Sequence, residues 1–417
     1  MLSAGAPLDS ADGKWLFYLA GELGTNRQDF VAVHYGVYVA PMEDPLAARR
    51  LTDERTMDLR ETGDRLERIG DDGVLALDRT RGAMNLVRIS ASGHVEVLVD
   101  GPRLVTGAGA AGETVVVSCT DASSAGDVAV LAGGALRTLT DFSADFRAAA
   151  GVISAREVTH TAPDGYPVHG WVLLPEGDGP HPVLLNIHGG PFAQYGWGLF
   201  DEAQVYAEAG YAVLMCNPRG AAGYGYDHAR SIKEAMGTVD LDDVLAFLDG
   251  ALASDPSLDA GKLGIMGGSY GGYLTAWTIS QDHRFTAAIV ERGYLDPPSF
   301  IGSSDIGWFF SNEYTGTEPE AVRAQNPMAQ VDKVSTPTLV IHSEEDLRCP
   351  LEQAHRYYTA LKMRGVETEL LVFPGENHEL SRSGTPHHRR QRFEHILRWW
   401  AQHLPTGKNP APAGAAD

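Results

Sequence analysis

Hydrophobic and polar positions follow one pattern before residue 150 and another after it. In the first part, short apolar runs alternate with Gly, Asp, Ser and Asn, and no helical period separates the runs. Clear examples are residues 15–18, 36–39, 74–77, 95–98 and 114–117. Several short strands at close spacing are typical of an all-β domain, so we predict one over residues 1–150.

A weak internal repeat refines this prediction. The triplet Leu-Thr-Asp follows an early strand cluster at 51–53 and a later one at 139–141. A repeat of about 45 residues is typical of the four-stranded blades of a β-propeller. We therefore predict a partial, propeller-like domain of about three blades, at residues 7–53, 54–101 and 102–145. A single small β-sandwich is the alternative interpretation.

After residue 150, strand-like and helix-like segments alternate. Continuous apolar runs occur at 183–187, 211–215, 263–266, 287–290, 338–341 and 369–373. Segments between them have a helical period; Val244, Phe247 and Leu248, for example, form one stripe. Such alternation indicates a parallel sheet covered by helices on both faces. We predict an α/β domain over residues 151–404 and a disordered tail, rich in Pro, Ala and Gly, at 405–417.

Composition and charge limit the kinds of partner that the chain could bind and the compartment in which we expect it. The net charge of −22 argues against nucleic acid and anionic membranes, because both would repel the chain. No apolar run is long enough to cross a membrane, and the first residues lack the features of a signal peptide. Cys119, Cys216 and Cys349 lie far apart, which fits buried thiols in a reducing compartment rather than disulfides or a metal site. We therefore expect a cytoplasmic protein.

The segment Gly-Gly-Ser-Tyr-Gly-Gly at 267–272 lies between a predicted strand and a predicted helix. A nucleophile elbow needs such a sharp strand-to-helix turn, in which small neighbours allow a strained serine to project its Oγ. This placement makes Ser269 a candidate nucleophile. The alternative is an ordinary glycine-rich turn.

A serine nucleophile needs a histidine base and an acid that orients it, and in this fold they follow in the order Ser, Asp or Glu, His. Asp346 and His378 each come just after a predicted strand, where catalytic groups of α/β sheets collect. Glu344 and Glu345 compete with Asp346 for the acidic role. His387 and His388 lie within 382–390, which we interpret as a solvated polar loop before the last helix.

A tetrahedral intermediate also needs two hydrogen-bond donors for its oxyanion. We assign one to the backbone N–H of Tyr270, the residue after the candidate nucleophile. The other is the N–H of Gly190, in the segment His-Gly-Gly-Pro at 188–191 after an early strand. His188 in that segment is interpreted as a residue that shapes the loop rather than as a base.

These motifs together resemble the catalytic domain of the prolyl oligopeptidase family, in its acylaminoacyl-peptidase-like branch. The similarity covers about residues 150–403 and includes 188–191, Asn-Pro-Arg-Gly at 217–220, 267–272, Glu-Asp-Leu-Arg-Cys-Pro at 345–350 and Gly-Glu-Asn-His at 375–378. The resemblance implies an α/β-hydrolase domain preceded by a β-propeller that covers the active site. It also implies a serine peptidase that acts on short peptides, often releases an N-terminal acylated residue, and needs no cofactor.

The resemblance implies a substrate-binding role for Arg348, which would contact a main-chain carbonyl of the peptide. A surface ion pair of Arg348 with Glu344 or Glu376 is the alternative. An apolar substrate pocket is a further hypothesis, with core packing as its alternative, and it uses aromatic residues on loops: Phe192, Trp308, Phe309 and Phe310.

The predicted β domain is short for the family, whose propellers have about seven or eight blades. Either the ring is incomplete, or the chain begins within a longer reading frame. An incomplete ring leaves exposed sheet edges, so we expect self-association into a homo-oligomer. Two other functions remain open: a carboxylesterase of the same fold, and a non-catalytic interaction protein built on a degenerate propeller.

Overall fold

The computed structural model describes residues 2–59, 65–112 and 114–409, and the chain forms two compact units. The first contains Met1–Ser154 together with Gln194–Phe200 and Ala221–Arg230. The second contains Ala155–Ala193, Asp201–Gly220 and Ser231–Asp417. The division after Ser154 lies close to the predicted boundary, but two later segments of the chain belong to the first unit.

The first unit consists mainly of antiparallel strands that follow one another in order along the chain. A four-stranded sheet contains β1 (Leu2–Asp9), β2 (Trp15–Glu22), β3 (Gly36–Pro41) and β4 (Arg49–Arg50). A second sheet contains β5 (Glu67–Ile69), β6 (Gly73–Thr80), β7 (Ala83–Ser90), β8 (Val95–Val99), β9 (Leu104–Ala111), β10 (Thr114–Asp121), β11 (Ser124–Ala132) and β12 (Ala135–Thr138). Its one parallel pairing in the described chain, Met84 with Leu104, joins two four-stranded meanders.

Alternation along the middle meander explains how these strands pack. Val74 on β6 faces a core that includes Phe17 and Val37 of the first meander. Leu75, the next residue, faces a separate core that includes Val115 of the third meander. Because successive strand residues point to opposite faces, one sheet packs on both neighbours. Three consecutive four-stranded meanders confirm the predicted propeller-like, roughly three-blade arrangement.

Helix α1 (Ala144–Ala150) follows the last of these strands, and none of its residues is buried. The sequence analysis did not predict this helix, because its Ala-rich segment has no apolar stripe that would pack against a core. Residues 60–64 of the predicted second blade lie outside the described part of the chain.

The second unit contains one eight-stranded sheet in the order β13-β14-β16-β15-β17-β18-β19-β20. Its strands are β13 (Arg156–Thr161), β14 (Pro167–Leu173), β15 (His181–Ile187), β16 (Ala212–Asn217), β17 (Leu258–Gly268), β18 (Ala287–Glu291), β19 (Thr338–Ser343) and β20 (Thr368–Phe373). β13 and β14 are antiparallel to their neighbours, and the remaining pairs are parallel. Each of the six apolar runs of the sequence coincides with one of these strands, apart from Tyr211, which precedes β16; this confirms the predicted α/β-hydrolase fold.

The helices after residue 200 are α2 (Asp201–Glu208), α3 (Tyr226–Arg230), α4 (Val239–Ser254), α5 (Tyr270–Gln281), α6 (Pro297–Ser303), α7 (Gly307–Thr315), α8 (Pro319–Ala324), a 3₁₀ helix (Pro327–Lys333), α9 (Leu351–Met363), α10 (Leu380–Ser383) and α11 (Pro386–His403). The predicted polar loop at 382–390 is therefore wrong from Pro386 onward. Proline at the first helical position has a favourable φ and no N–H to leave unpaired, so it begins the helix.

The C-terminal segment contacts the second unit as far as the description extends. Thr406 Oγ1 donates to Ala209 O at 2.6 Å, and the Asn409 side chain donates to Leu397 O at 2.8 Å. For residues 405–409 these bonds do not support the predicted disordered tail. Residues 410–417 lie outside the described residues.

A buried ion pair connects the centre of the sheet to the last helix. Arg392 on α11 donates two hydrogen bonds to Glu291 at the end of β18, at 2.7 and 2.6 Å. It also donates to Glu202 on α2 at 3.1 Å. Burial raises the pKa of Glu291, but the charge and hydrogen bonds of Arg392, together with the charges of Arg292 and His378, lower it by more, and the net pKa is lowered.

Replacing Arg392 by Leu should destabilise the protein by about 3–5 kcal/mol, because Glu291 would remain buried without its partner. Urea unfolding measures the effect. Arg398→Leu is the matched control, since it removes a half-buried arginine from the same helix and its ion pair with Glu369. That control should cost less than about 1 kcal/mol. Equal losses in both variants would contradict the importance of the buried pair.

Candidate active site

Ser269 occupies the turn between β17 and α5, with φ 63° and ψ −119°. Residues other than glycine rarely adopt positive φ, and such strain is concentrated at functional sites. The turn is held on both sides: the Ser269 N–H donates to Glu291 O at 3.0 Å, and its carbonyl accepts from the Tyr273 N–H at 2.9 Å. This is the backbone geometry of a nucleophile elbow.

The glycines around Ser269 are required by close approach of the backbone. A Cβ on Gly271 would overlap the carbonyl oxygen of Ile187, at the end of β15. A Cβ on Gly272 would lie 2.6 Å from Glu291 O, and one on Gly267 would lie 2.6 Å from the backbone of Gly271. A side chain at these positions would force the helix away from the sheet. The repeated glycine in the sequence is therefore a packing requirement.

Asp346 and His378 meet beside the carboxyl ends of β19 and β20. The His378 Nδ1 lies 2.8 Å from Asp346 Oδ2, and the two residues are only 8% and 2% exposed. The other carboxylate oxygen accepts the N–H groups of Arg348, at 2.9 Å, and Cys349, at 2.8 Å. With Nδ1–H donating to Asp346, the imidazole Nε2 is left as the basic nitrogen.

The rival residues make other contacts. Glu344 and Glu345 are exposed, and Glu344 Oε2 accepts the Gly375 N–H at 3.0 Å. His388 is half-buried on α11, where its Nδ1 lies 2.7 Å from Glu376 Oε1. His388 is thus part of a local hydrogen-bond network rather than the solvated loop we predicted.

A second histidine, which sequence reasoning missed, supports the turn that carries Asp346. His342 at the end of β19 is buried, and its Nε2 lies 2.6 Å from Cys349 O and 3.5 Å from Asp346 Oδ2. Burial lowers the pKa of His342 and so favours the neutral ring, which can donate Nε2–H to that carbonyl. Its position at a strand end, four residues before Asp346, was the available signal.

The segments assigned to the oxyanion lie beside the serine. A Cβ placed on Gly189 would be 3.4 Å from Ser269 Cβ and 4.0 Å from its Oγ. His188 shapes this loop: its Nδ1 lies 2.7 Å from Gly189 O, and burial lowers its pKa to about 4. Gly190, with φ 127°, adopts a conformation that glycine favours. Assignment of the donor to the Gly190 N–H stays a prediction.

Tyr270 begins α5, and its side chain is directed into the protein. The hydroxyl donates to Asp240 Oδ2 at 2.7 Å, and the same oxygen accepts the Gly237 N–H at 3.1 Å. Burial raises the pKa of Asp240 to about 6 and raises the pKa of Tyr270. Because the hydroxyl is occupied, the backbone N–H is the group of Tyr270 that we retain as the second oxyanion donor.

Arg348 is paired with a residue that the sequence analysis did not consider. Its Nε donates to Asp305 Oδ1 at 2.9 Å, and this hydrogen bond lowers the pKa of Asp305. The alternative prediction, an ion pair of Arg348 with Glu344 or Glu376, is therefore wrong in its partners. Glu376 accepts a hydrogen bond from Thr385 instead. Asp305 lies just before α7, 43 residues away in the chain, where no local pattern marks it. Both side chains of the pair are almost half exposed.

The predicted aromatic pocket residues lie in different surroundings. Trp308 is 63% exposed on α7, and its ring contacts Phe309 with centroids 4.7 Å apart. Phe310 instead packs with Tyr294, at 5.5 Å. Phe192 is half-buried in the segment after β15. The substrate pocket therefore stays a prediction.

Two further observations concern the described chain as a whole. Over residues 2–59, 65–112 and 114–409, no three or more His, Cys, Asp or Glu side chains group in a way that could hold a metal ion. None of the helices described for this chain has the length and hydropathy needed to cross a membrane. Cys119, Cys216 and Cys349 are free thiols, and the last two are buried.

The eight-stranded sheet, the serine turn and the Asp346–His378 pair define an α/β-hydrolase with serine-hydrolase geometry. The sequence profile of the prolyl oligopeptidase family matches residues 197–406, half of the chain. This protein therefore belongs to the prolyl oligopeptidase family, as the motifs predicted.

Individual relatives agree with this assignment. The uncharacterized peptidase YuxL of Bacillus subtilis (strain 168) is 43% identical over 255 residues, which are 60% of this chain and 39% of that protein. The acylamino-acid-releasing enzyme of Arabidopsis thaliana is 33% identical over 234 residues, 52% of this chain and 30% of the enzyme. Among solved structures, Pyrococcus horikoshii acylaminoacyl peptidase has a TM-score of 0.86 at 28% identity. That match covers 98% of this chain and 64% of the other, so the chain spans less than two thirds of these relatives.

Replacing Asp346 by Asn should lower kcat on the order of 10⁴-fold, because His378 loses the partner that sets its tautomer and stabilises its charged form. Steady-state kinetics on a chromogenic ester measures this loss. Glu344→Gln is the control on the same segment and should change kcat little, because that side chain is exposed. The acid assignment is wrong if the Glu344 variant loses as much activity as the Asp346 variant.

Proposed function

We propose that this chain is a serine peptidase that hydrolyses short peptides, including those with an acylated N-terminus, through an acyl-enzyme on Ser269. The observation that carries this proposal is the buried hydrogen bond between Asp346 and His378, 2.8 Å long, together with a serine held in an elbow turn. Membership of the prolyl oligopeptidase family and similarity to acylamino-acid-releasing enzymes support the choice of substrate.

In this mechanism the Ser269 Oγ attacks the scissile carbonyl carbon while His378 Nε2 takes the hydroxyl proton. Asp346 stabilises the resulting imidazolium through Nδ1. The N–H groups of Tyr270 and Gly190 bind the oxyanion of the tetrahedral intermediate. His378 then returns the proton to the leaving amine, which leaves an ester between Ser269 and the acyl part of the peptide. Water hydrolyses this ester by the same steps in reverse.

Arg348 is the group that favours a peptide over a simple ester in this proposal. Asp305 holds its Nε at 2.9 Å, and about half of the side chain is exposed for a further contact. Its guanidinium has five N–H donors, so an arginine that is bound to Asp305 can still donate to a substrate carbonyl. A structural neighbour of this chain is an acylaminoacyl peptidase in complex with the peptidyl inhibitor Z-Gly-Gly-Phe-chloromethyl ketone.

The remaining inferences concern the setting of the protein. We infer a cytoplasmic location, supported by the free cysteines, and no resident cofactor. We also infer association into a homo-oligomer through the antiparallel region, where β1 and β12 each pair with a single neighbour among the described strands. Light scattering of the purified chain measures that association.

The function is tested by labelling the folded protein with a fluorophosphonate and by profiling cleavage of free, acetylated and formylated peptide libraries. Ser269→Ala should abolish labelling and lower kcat by roughly 10⁴- to 10⁶-fold. A matched amide and ester pair distinguishes the alternatives. Hydrolysis of the ester alone would identify a carboxylesterase, and absence of labelling in the wild-type chain would contradict an enzymatic role.

Arg348→Ala should lower kcat/KM for peptides roughly 10- to 150-fold, because a hydrogen bond to a charged group contributes about 1.5–3 kcal/mol. A small ester such as p-nitrophenyl acetate lacks the corresponding carbonyl, so its hydrolysis should change little. Comparing the two substrates on one preparation gives the measurement. Equal losses on both would mean that Arg348 acts only through its ion pair with Asp305.

A further inference from the structure

Arg292 is a buried cation next to the proposed triad that the mechanism above does not use. It follows β18 directly and is only 6% exposed. Its φ of 39° lies in the left-handed region, which is unfavourable for a residue with a long side chain. The backbone N–H donates to Ile341 O at 2.8 Å, so the strained position is held by the neighbouring strand β19.

The guanidinium lies between the serine turn and the segment that follows His378. A Cβ on Gly268, the residue before Ser269, would be 2.9 Å from Arg292 Nη1 and 3.0 Å from Cζ. On the other side, Nη2 donates to Ser381 Oγ at 2.9 Å, three residues beyond His378. Arg292 therefore contacts both the nucleophile-bearing turn and the histidine-bearing segment.

Two donors of this guanidinium have no hydrogen-bond partner. Nε and Nη1 are buried and unpaired in the described structure. Burying a charged donor that has no hydrogen-bond partner is unfavourable, and buried polar groups in proteins are nearly always hydrogen-bonded. A strained backbone and unpaired buried donors at one residue indicate a role other than stability.

Arg292 and His378 also share their titratable neighbours. Burial raises the pKa of Glu291, but Arg392, Arg292 and His378 lower it, and lowering prevails. Burial lowers the pKa of His342, and the charges of His378 and Arg292 act in the same direction.

Carboxylates also lie near His378. Hydrogen bonding to Arg382 lowers the pKa of Glu379, and His378 and Arg292 add to that effect. Asp346 accepts from His378 Nδ1, and Asp305 interacts electrostatically with the same imidazole. Arg292 and His378 therefore lie in one cluster of charged groups.

We propose that Arg292 is a positioning residue for the triad: its guanidinium holds the His378 segment against the serine turn, between Gly268 and Ser381. The inference rests on the proposed triad. Glu291, the residue before Arg292, already accepts two hydrogen bonds from Arg392, so Arg292 is not required as its partner.

The experiment measures kcat and KM on a small ester for the wild type, Arg292→Met and Arg292→Lys. In the Met variant kcat should fall roughly 10- to 100-fold with KM little changed, because the His378 segment is no longer held against the serine turn. The Lys variant keeps a charged N–H donor for Ser381, so it should recover a large part of the lost kcat.

Arg364→Met is the matched control, because it removes an exposed positive charge at the end of α9. It should leave kcat unchanged. The proposal is overturned if the Met variant keeps the kcat of the wild type, or if the Lys variant loses as much kcat as the Met variant. Ser269→Ala, run alongside, separates this outcome from failure of the proposed function: activity that survives that change would contradict the triad itself.

Discussion

The close approach of α5 to the end of β15 is the constraint on which the site depends. A Cβ on Gly271 would overlap the carbonyl oxygen of Ile187, so the helix can pack this tightly only with glycine there. The same approach places Ser269 in a positive-φ turn and sets Gly189, just beyond β15, against its side chain. The proposed nucleophile and the segment proposed to bind the oxyanion are therefore positioned by one backbone contact, so the proposed site is preorganised.

The proposed acid of the site depends on a second constraint, which is that a buried carboxylate needs hydrogen-bond donors. Asp346 is almost fully buried, and its two oxygens accept from His378 and from the N–H groups of Arg348 and Cys349. The His342 ring is hydrogen-bonded to the Cys349 carbonyl and so stabilises the same turn. A fully bonded buried network is rigid, whereas a partly bonded one is unfavourable. The unpaired donors of Arg292 lie in the same region, where the serine turn and the His378 segment meet.

The two units obey different rules of packing. In the antiparallel unit, alternate residues of the middle meander, such as Val74 and Leu75, serve two separate cores. That arrangement requires side chains that alternate between the two faces of the sheet with a period of two residues, and it tolerates polar turns between strands. In the α/β unit, parallel strands such as β16 and β19 are buried along their whole length, so their sequences are largely apolar and polar side chains collect at their carboxyl ends.

The sequence by itself indicated five of the twelve described strands of the antiparallel unit, six of the eight strands of the α/β unit, the serine turn and the order of Ser269, Asp346 and His378, because each of these signals lies within a short segment. Periodicity, glycine spacing and strand ends are local signals. Tertiary structure alone decided that Asp346, rather than its exposed neighbour Glu344, contacts His378, and that Arg348 pairs with Asp305, 43 residues away. Burial and pairing across such distances depend on how the elements pack, and no pattern within a single segment records that packing.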